Sequence, residues 1–446
     1  MAIARTSTLI SLCVATALTG AGCGRDGLLS NETSGAVTPG DATPGGVTIR
    51  RTFRIPNDFP GEWAAYQDGA GPWIPIQPVV KGGHEYQFVV KDPSRQLGFV
   101  LAADLGLGNE PPATNQTIPA EVFFTFLTVD DCLEGLDLGT SGPSNTAHTQ
   151  HGTITWSIAG LAAGEQAALS IAGRSFPSLQ GNSTYSTDDD WPMAGDLLVT
   201  AGPSNGLPTH MIARRNLHLS PGLTIPTIDL SSGESFRLQA GQVTLTDTPN
   251  ADWSWGEVTL TTAASGNILM SQNVVSGAAI PFMFLPSSEQ ASGDLYQATY
   301  TYQSAAGKAS VTDWFHSPTG HQLVVPAIPS GARVWNSGDS GDVRLTAEWP
   351  ATQPGWIRHV DYAQGPDALH LRWWNVTITP SYAGGTGGAV TVPDLRNVDG
   401  WKSLWDLAAG TPTSWSVGSS SSASGNPALQ DGASEISAAQ SGTITP

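Results

Sequence analysis

Cysteine is scarce, with three in 446 residues. That is too few for a disulfide framework, and the spacing is not that of a zinc site. Charge is scarce too, at 13% of residues, and Lys and Arg number 19 against 38 Asp and Glu. A formal charge of −19 excludes a basic face for nucleic-acid phosphates and direct adsorption to anionic head groups. Long helices are also missing from the pattern, because Ala, Leu, Glu, Lys and Arg almost never recur at 3.6-residue spacing. Beyond residue 22 no apolar run reaches the ~20 residues a membrane helix needs. What is abundant is glycine, 51, and proline, 32, set among Ser, Thr, Asn and Asp. This composition builds short strands joined by turns, so the fold class is all-β, as several tandem β-sandwich-like domains.

The chain opens with Arg5, an apolar run from Leu9 to Leu18, and small residues to Gly22. This is the order of a secretory signal over residues 1–22. Residues Ala21-Gly22-Cys23 resemble the lipobox of bacterial lipoproteins, although Gly20 stands where that family carries Leu, Val or Ile. The resemblance implies lipidation at Cys23 and, with Gly24 following, the outer membrane. A signal cut elsewhere gives a secreted product. In the first case Cys132 has no partner, and in the second a Cys23–Cys132 disulfide is open to it. Asp130 and Asp131 precede Cys132 and keep it a thiol.

Residues 23–46 are rich in Gly, Thr, Pro and Ser and read as a flexible tether. Four β domains follow, over 47–129, 150–240, 241–330 and 331–446. In the first, Ile49, Phe53 and Ile55 share a face, and Asp68-Gly69 signals a hairpin. Trp63, Gln67–Trp73 and Tyr86–Val90 resemble a small β module of uncharacterised exported bacterial proteins, which share the ending Ser441–Pro446. Gly160–Gly173 resembles the strand–turn–strand openings of carboxypeptidase regulatory-like domains. Further on, Tyr296, Tyr300 and Tyr302 share a face, and Val343–Trp349 alternates without a break. The inward phase switches between Trp373 and Trp374, which predicts a β-bulge there. One short helix is expected near the C-terminus, with Asp399 as its cap, Trp401, Leu404, Trp405 and Ala408 as its stripe, and Gly410 as its stop. Ser434–Pro446 reads as a last strand.

Few residues suggest chemistry. Gly338–Gly341 and Thr146–His148 resemble the serine and histidine regions of trypsin-like proteases, but Asp342 stands where that family has a second glycine. Gly202–Gly206 matches G-x-S-x-G without the strand and helix a nucleophile elbow needs. Both read as turns. His148 and His151 would face opposite ways on a strand, and Asp188–Asp190 reads as a solvated acidic loop lacking EF-hand spacing. No catalytic residue, metal or cofactor is assigned.

Tryptophan is enriched, with 11 of the 15 after residue 250. Most read as core anchors. The expected role is therefore structural, adhesive or binding, in an exported, lipid-anchored protein of the cell envelope that is not an enzyme. Its membrane contact is the N-terminal lipid, and nucleic acid is not a partner. The alternative is a carbohydrate-binding or accessory protein. Trp356, Trp373 and Trp374 are its candidate ligand-stacking aromatics, since an indole plane matches the apolar face of a sugar.

Overall fold

Alternating segments such as Leu345–Trp349 and Leu295–Ser304 form strands, while Phe53 and Ile55 lie outside the described residues. A computed structural model describes residues 46–52, 63–79, 85–104, 120–130, 149–181, 183–271, 279–339, 341–350, 355–365, 371–384, 388–421 and 430–446. The expected signal, Cys23, the tether up to residue 45, Cys132 and His148 lie outside these residues. The chain is all-β and divides into two units. One is Met1–Gly142 with Pro329–Asn426 and Ala439–Pro446; the other is Pro143–Ile328 with Pro427–Ala438.

In the first unit one sheet runs in the order Thr413–Ser420, Ile357–Gln364, Arg372–Ile378, Ala120–Thr128, Gln96–Asp104, Trp63–Asp68 and Trp73–Ile76. The registers are antiparallel except where Arg372–Ile378 runs parallel to Ala120–Thr128. That joint brings the early and late parts of the chain onto one core. Val122, Phe124, Val360, Tyr362 and Val376 line one face and meet Leu345, Ala347 and Trp349 of a three-stranded sheet. The other face packs Phe99, Leu101 and Leu127 against Tyr86 and Phe88, from a two-stranded sheet of Val47–Thr52 and Glu85–Val90. The Asp68-Gly69 turn joins Trp63–Asp68 to Trp73–Ile76 as expected, with Gly69 at φ +57°.

The second unit holds two sandwiches. In the first, Thr149–Ala159 and Ser183–Pro192 face Glu165–Ile171, Ala194–Pro203 and His210–His218 across Ile154, Trp156, Trp191 and Ile212. In the second, Gln239–Thr246 and Ala279–Phe284 face Trp253–Thr261, Leu295–Ser304 and Gly307–Phe315 across Val243, Phe282 and the three tyrosines. Leu198 and Met211, from the back of the first sandwich, join the second core. Ala194–Pro203 is therefore buried on both faces. An ion triad reinforces this contact. Arg215 reaches Asp294 at 2.7 Å and Asp196 at 3.0 Å, and Asp294 is 0% exposed. Burying two carboxylates is tolerable because the guanidinium forks onto both.

Three expectations change here. The helix around Trp401–Ala408 shrinks to a single 3-10 turn, Ser403–Trp405, while a one-turn helix stands at Pro380–Ala383. Asp399 does not cap it. Its carbonyl takes the Trp63 indole N–H at 3.0 Å instead. The Trp401 and Trp405 indoles bond Asp406 and Asp104, and an uncapped stretch this short has no helical stability of its own. No bulge separates Trp373 from Trp374, since the register runs unshifted from Gln364↔Arg372 to Arg358↔Ile378. Asp188–Asp190 belongs to a strand, Ser183–Pro192, not to a loop. The ending does form a strand, Ser434–Ile444.

Candidate ligand-binding faces

The three tryptophans singled out from sequence have three different environments. Trp374 points into the first unit's core, 3% exposed, with its indole N–H on the Trp405 carbonyl at 2.7 Å and its ring against Phe124 and Trp401. At that burial it is a core anchor and no platform for a ligand. Neighbouring side chains on a strand point oppositely, and Trp373 therefore lies on the other face. It is half-buried there, edge-on to Phe123, and donates to the Asp361 carboxylate. Trp356, also half-buried, precedes the strand Ile357–Gln364, whose Ala363 stands opposite Trp373. Seven residues of strand put Trp356 and Trp373 roughly 24 Å apart. No single small ligand spans them.

Around Trp373 the face is polar. Asn375 donates to Asp361 at 2.7 Å and Thr377 donates to Asn375 at 3.2 Å, while His359 sits two residues from Asp361 on the same strand. Burial raises the Asp361 carboxyl above its usual range and lowers His359, so both favour their neutral forms. Glu121 stands opposite Trp373 in the parallel register, 3% exposed, and Oε2 has no hydrogen-bond partner. Desolvation pushes its carboxyl up to about 7. A protonated carboxyl near neutrality is what acid catalysis uses. Strand spacing nevertheless keeps the Cα positions of Glu121 and Asp361 about 12 Å apart, with Trp373 between them. They do not act as a pair.

The second unit has a more open face. Trp253, Trp255, Glu257, Thr259 and Thr261 alternate with the core residues Gly256, Val258 and Leu260 and point away from them. Trp253 is 38% exposed and Trp255 half-buried, and neither packs into a core of the described residues. The register puts Gln303 beside Trp253, Thr301 beside Trp255 and Thr299 beside Glu257. On the next strand Thr312 and Ser310 pair through their hydroxyls with Thr299, at 3.0 Å, and Thr301, at 2.9 Å. Burial raises the Glu257 carboxyl. The far end of this face is closed, since Trp314 is buried.

Comparison with solved structures brings distant likenesses. A tetra-tandem repeat in the extending region of a large adhesion protein is 13% identical over 90% of this chain and 96% of that one, with a TM-score of 0.13. The BSP domain of a biofilm-associated protein is 9% identical over 89% of this chain and 92% of that one, also at 0.13. No family model matches the sequence, and no curated protein matches it.

Two of the sequence matches to hydrolase motifs end in turns, and the third, Thr146–His148, lies outside the described residues. Asn336 Oδ1 accepts from the Gly338 and Arg344 amides, in the hairpin between Arg333–Asn336 and Leu345–Trp349. Ser204 follows the strand Ala194–Pro203 in a turn closed by Gly206 N–H on the Pro203 carbonyl. His151 pairs with Asp190 at 3.1 Å and Asp188 at 3.5 Å on an exposed face. Among the described residues no group of three or more His, Cys, Asp or Glu could hold a metal. Sequence reasoning passed over Trp253 and Trp255. Their signal was legible as two indoles at i and i+2, facing away from an apolar Val258/Leu260 phase.

Proposed function

We propose that this is an exported protein of the bacterial cell surface with an adhesive or structural role, acting through open sheet faces and not by catalysis. The observation that supports it most is the Trp253–Thr261 row. Two of the largest apolar side chains stand on a solvent-facing sheet with polar neighbours, although the sandwich beneath has a complete core without them. Aromatic residues left out of a core and ringed by polar groups mark contact surfaces. The signal-like N-terminus supports export, and Cys23 is the attachment point on this reading. Two or three acyl chains hold a protein on a membrane where one does not.

The test is to fractionate producing cells, label them with a radioactive fatty acid and treat them with protease while intact. Wild type should carry label, sediment with the outer membrane and be clipped from outside, and Cys23→Ala should lose the label. Purified chain, or cells displaying it, should adhere to a surface from which a strain lacking it detaches. Untrimmed protein in the cytosol would sink the proposal.

A further inference from the structure

We propose that the outer face of Trp253–Thr261 binds a neutral glycan chain, with Trp253 and Trp255 stacking on sugar rings. This rests on the surface role above and names what that surface holds. The two indoles project from one strand face about 7 Å apart along the chain direction, and neither is committed to a core. An aromatic plane left this way pairs with the apolar C–H face of a pyranose. Sugar hydroxyls need polar groups at the rim. Gln303, exposed beside Trp253, supplies one, and the Glu257 carboxyl continues the same row, while Thr301 beside Trp255 is covered. The paired hydroxyls of Thr299 and Thr312, both half-buried, keep unused donor or acceptor capacity.

Charge selects among occupants. In a chain of formal charge −19, this face carries Glu257 and Lys308 as its charges on three strands, among Thr, Ser, Gln and Trp, with Leu269 and Leu295 beside Thr259 and Thr261 at its far end. A basic peptide finds no acidic patch there, and an acidic polymer finds no basic one. A neutral, hydroxyl-rich polymer matches. The flatness of a sheet favours an extended chain over a single sugar, which would need a cleft to be buried.

Affinity electrophoresis of the full chain tests this, in gels carrying hydroxyethyl cellulose, xylan, mannan or dextran, with alginate as the anionic control. Wild type should be retarded by at least one neutral polysaccharide and not by alginate. Trp253→Ala and Trp255→Ala should each weaken that retardation about tenfold. Trp255→Tyr should restore part of it, and Trp335→Ala, an exposed indole on another strand, should behave as wild type. All variants must keep the wild-type urea midpoint. Retardation by no neutral polysaccharide, by alginate alone, or undiminished in both alanine variants overturns the proposal. If the double variant still adheres in the assay above while losing nothing in the gel, the surface role stands and the glycan assignment falls.

Discussion

Two groups of tryptophans show what this chain does with the same side chain. In the first unit Trp63, Trp374, Trp401 and Trp405 pack edge to face, or tilted in the case of Trp63 and Trp405, with centroids 5.1 to 6.3 Å apart. Each indole N–H has an acceptor: the Asp399 carbonyl, the Trp405 carbonyl, and the carboxylates of Asp406 and Asp104. Lys402 lies 4.8 Å over the Trp405 ring and pairs with Asp104. Gly400, at φ +83°, lets the chain pass Trp63, where an added Cβ would come within 2.8 Å of the indole nitrogen. In the second unit Trp253 and Trp255 have no such neighbours among the described residues. A buried tryptophan must satisfy its N–H as well as fill volume, so partnership separates the structural indoles from those free for a ligand.

The sharpest way to break that comparison is to remove an indole from each group. Trp405 is fully buried and holds Asp104 as well as ring contacts with Trp63 and Trp401. Trp405→Ala should cost about 4–5 kcal/mol, the cavity and an orphaned carboxylate together, read as a lower urea midpoint. A loss under about 1 kcal/mol would mean that the four-tryptophan packing is not a core.

Buried carboxylates give the same contrast. Asp294 is matched by Arg215 and by the Ala291 amide. Asp294→Ala leaves the guanidinium with Asp196 alone and should cost about 3–4 kcal/mol. Glu121 is the unmatched case. Its folded-state pKa of about 7 lies above the ordinary 4.5, so between those values the native chain holds a proton that the unfolded chain has released. Stability therefore falls as pH rises through that window, by about 3 kcal/mol in all. Glu121→Gln carries no titrating group and should lose this component, so the difference between the two midpoints should grow from pH 4.5 to 7 and then level off. Parallel profiles would show that Glu121 is solvated. The other carboxyls raised by burial, such as Asp361 and Glu257, cancel in the difference.

How much of this was legible depends on the range of the signal. Strands such as Leu345–Trp349 and Leu295–Ser304 follow from period-2 alternation, which is local and specifies both the strand and its buried side. The parallel pairing of Arg372–Ile378 with Ala120–Thr128 is not local. Nothing in either segment names the other, so the sharing of one core by Trp63 and Trp405 had no trace in either neighbourhood. The Trp373–Trp374 pair shows a related limit. Adjacent residues must face opposite ways, but with both apolar the pattern does not say which is inward. Only packing against Phe124 decides it. In the turn before Trp405, the i, i+4 spacing of Trp401 and Trp405 correctly marked two inward side chains and wrongly suggested a helix. Four-residue spacing reports burial, while helix also needs a cap.

The smallest expected effect is the most discriminating. Trp253→Ala should change the urea midpoint by no more than about 0.5 kcal/mol, because the side chain leaves no cavity and no partner behind. Surface substitutions on strands also alter cross-strand packing, here with Gln303, which sets the scale at a few tenths. A loss near that of Trp405→Ala would make Trp253 a structural residue covered by packing. The open face would then be an interior one, with no plane left to offer a sugar ring. An unchanged midpoint combined with lost retardation in a polysaccharide gel separates binding from folding at a single residue, since the strand keeps its register through the backbone pairing of Trp253 with Gln303 whether or not the indole is there.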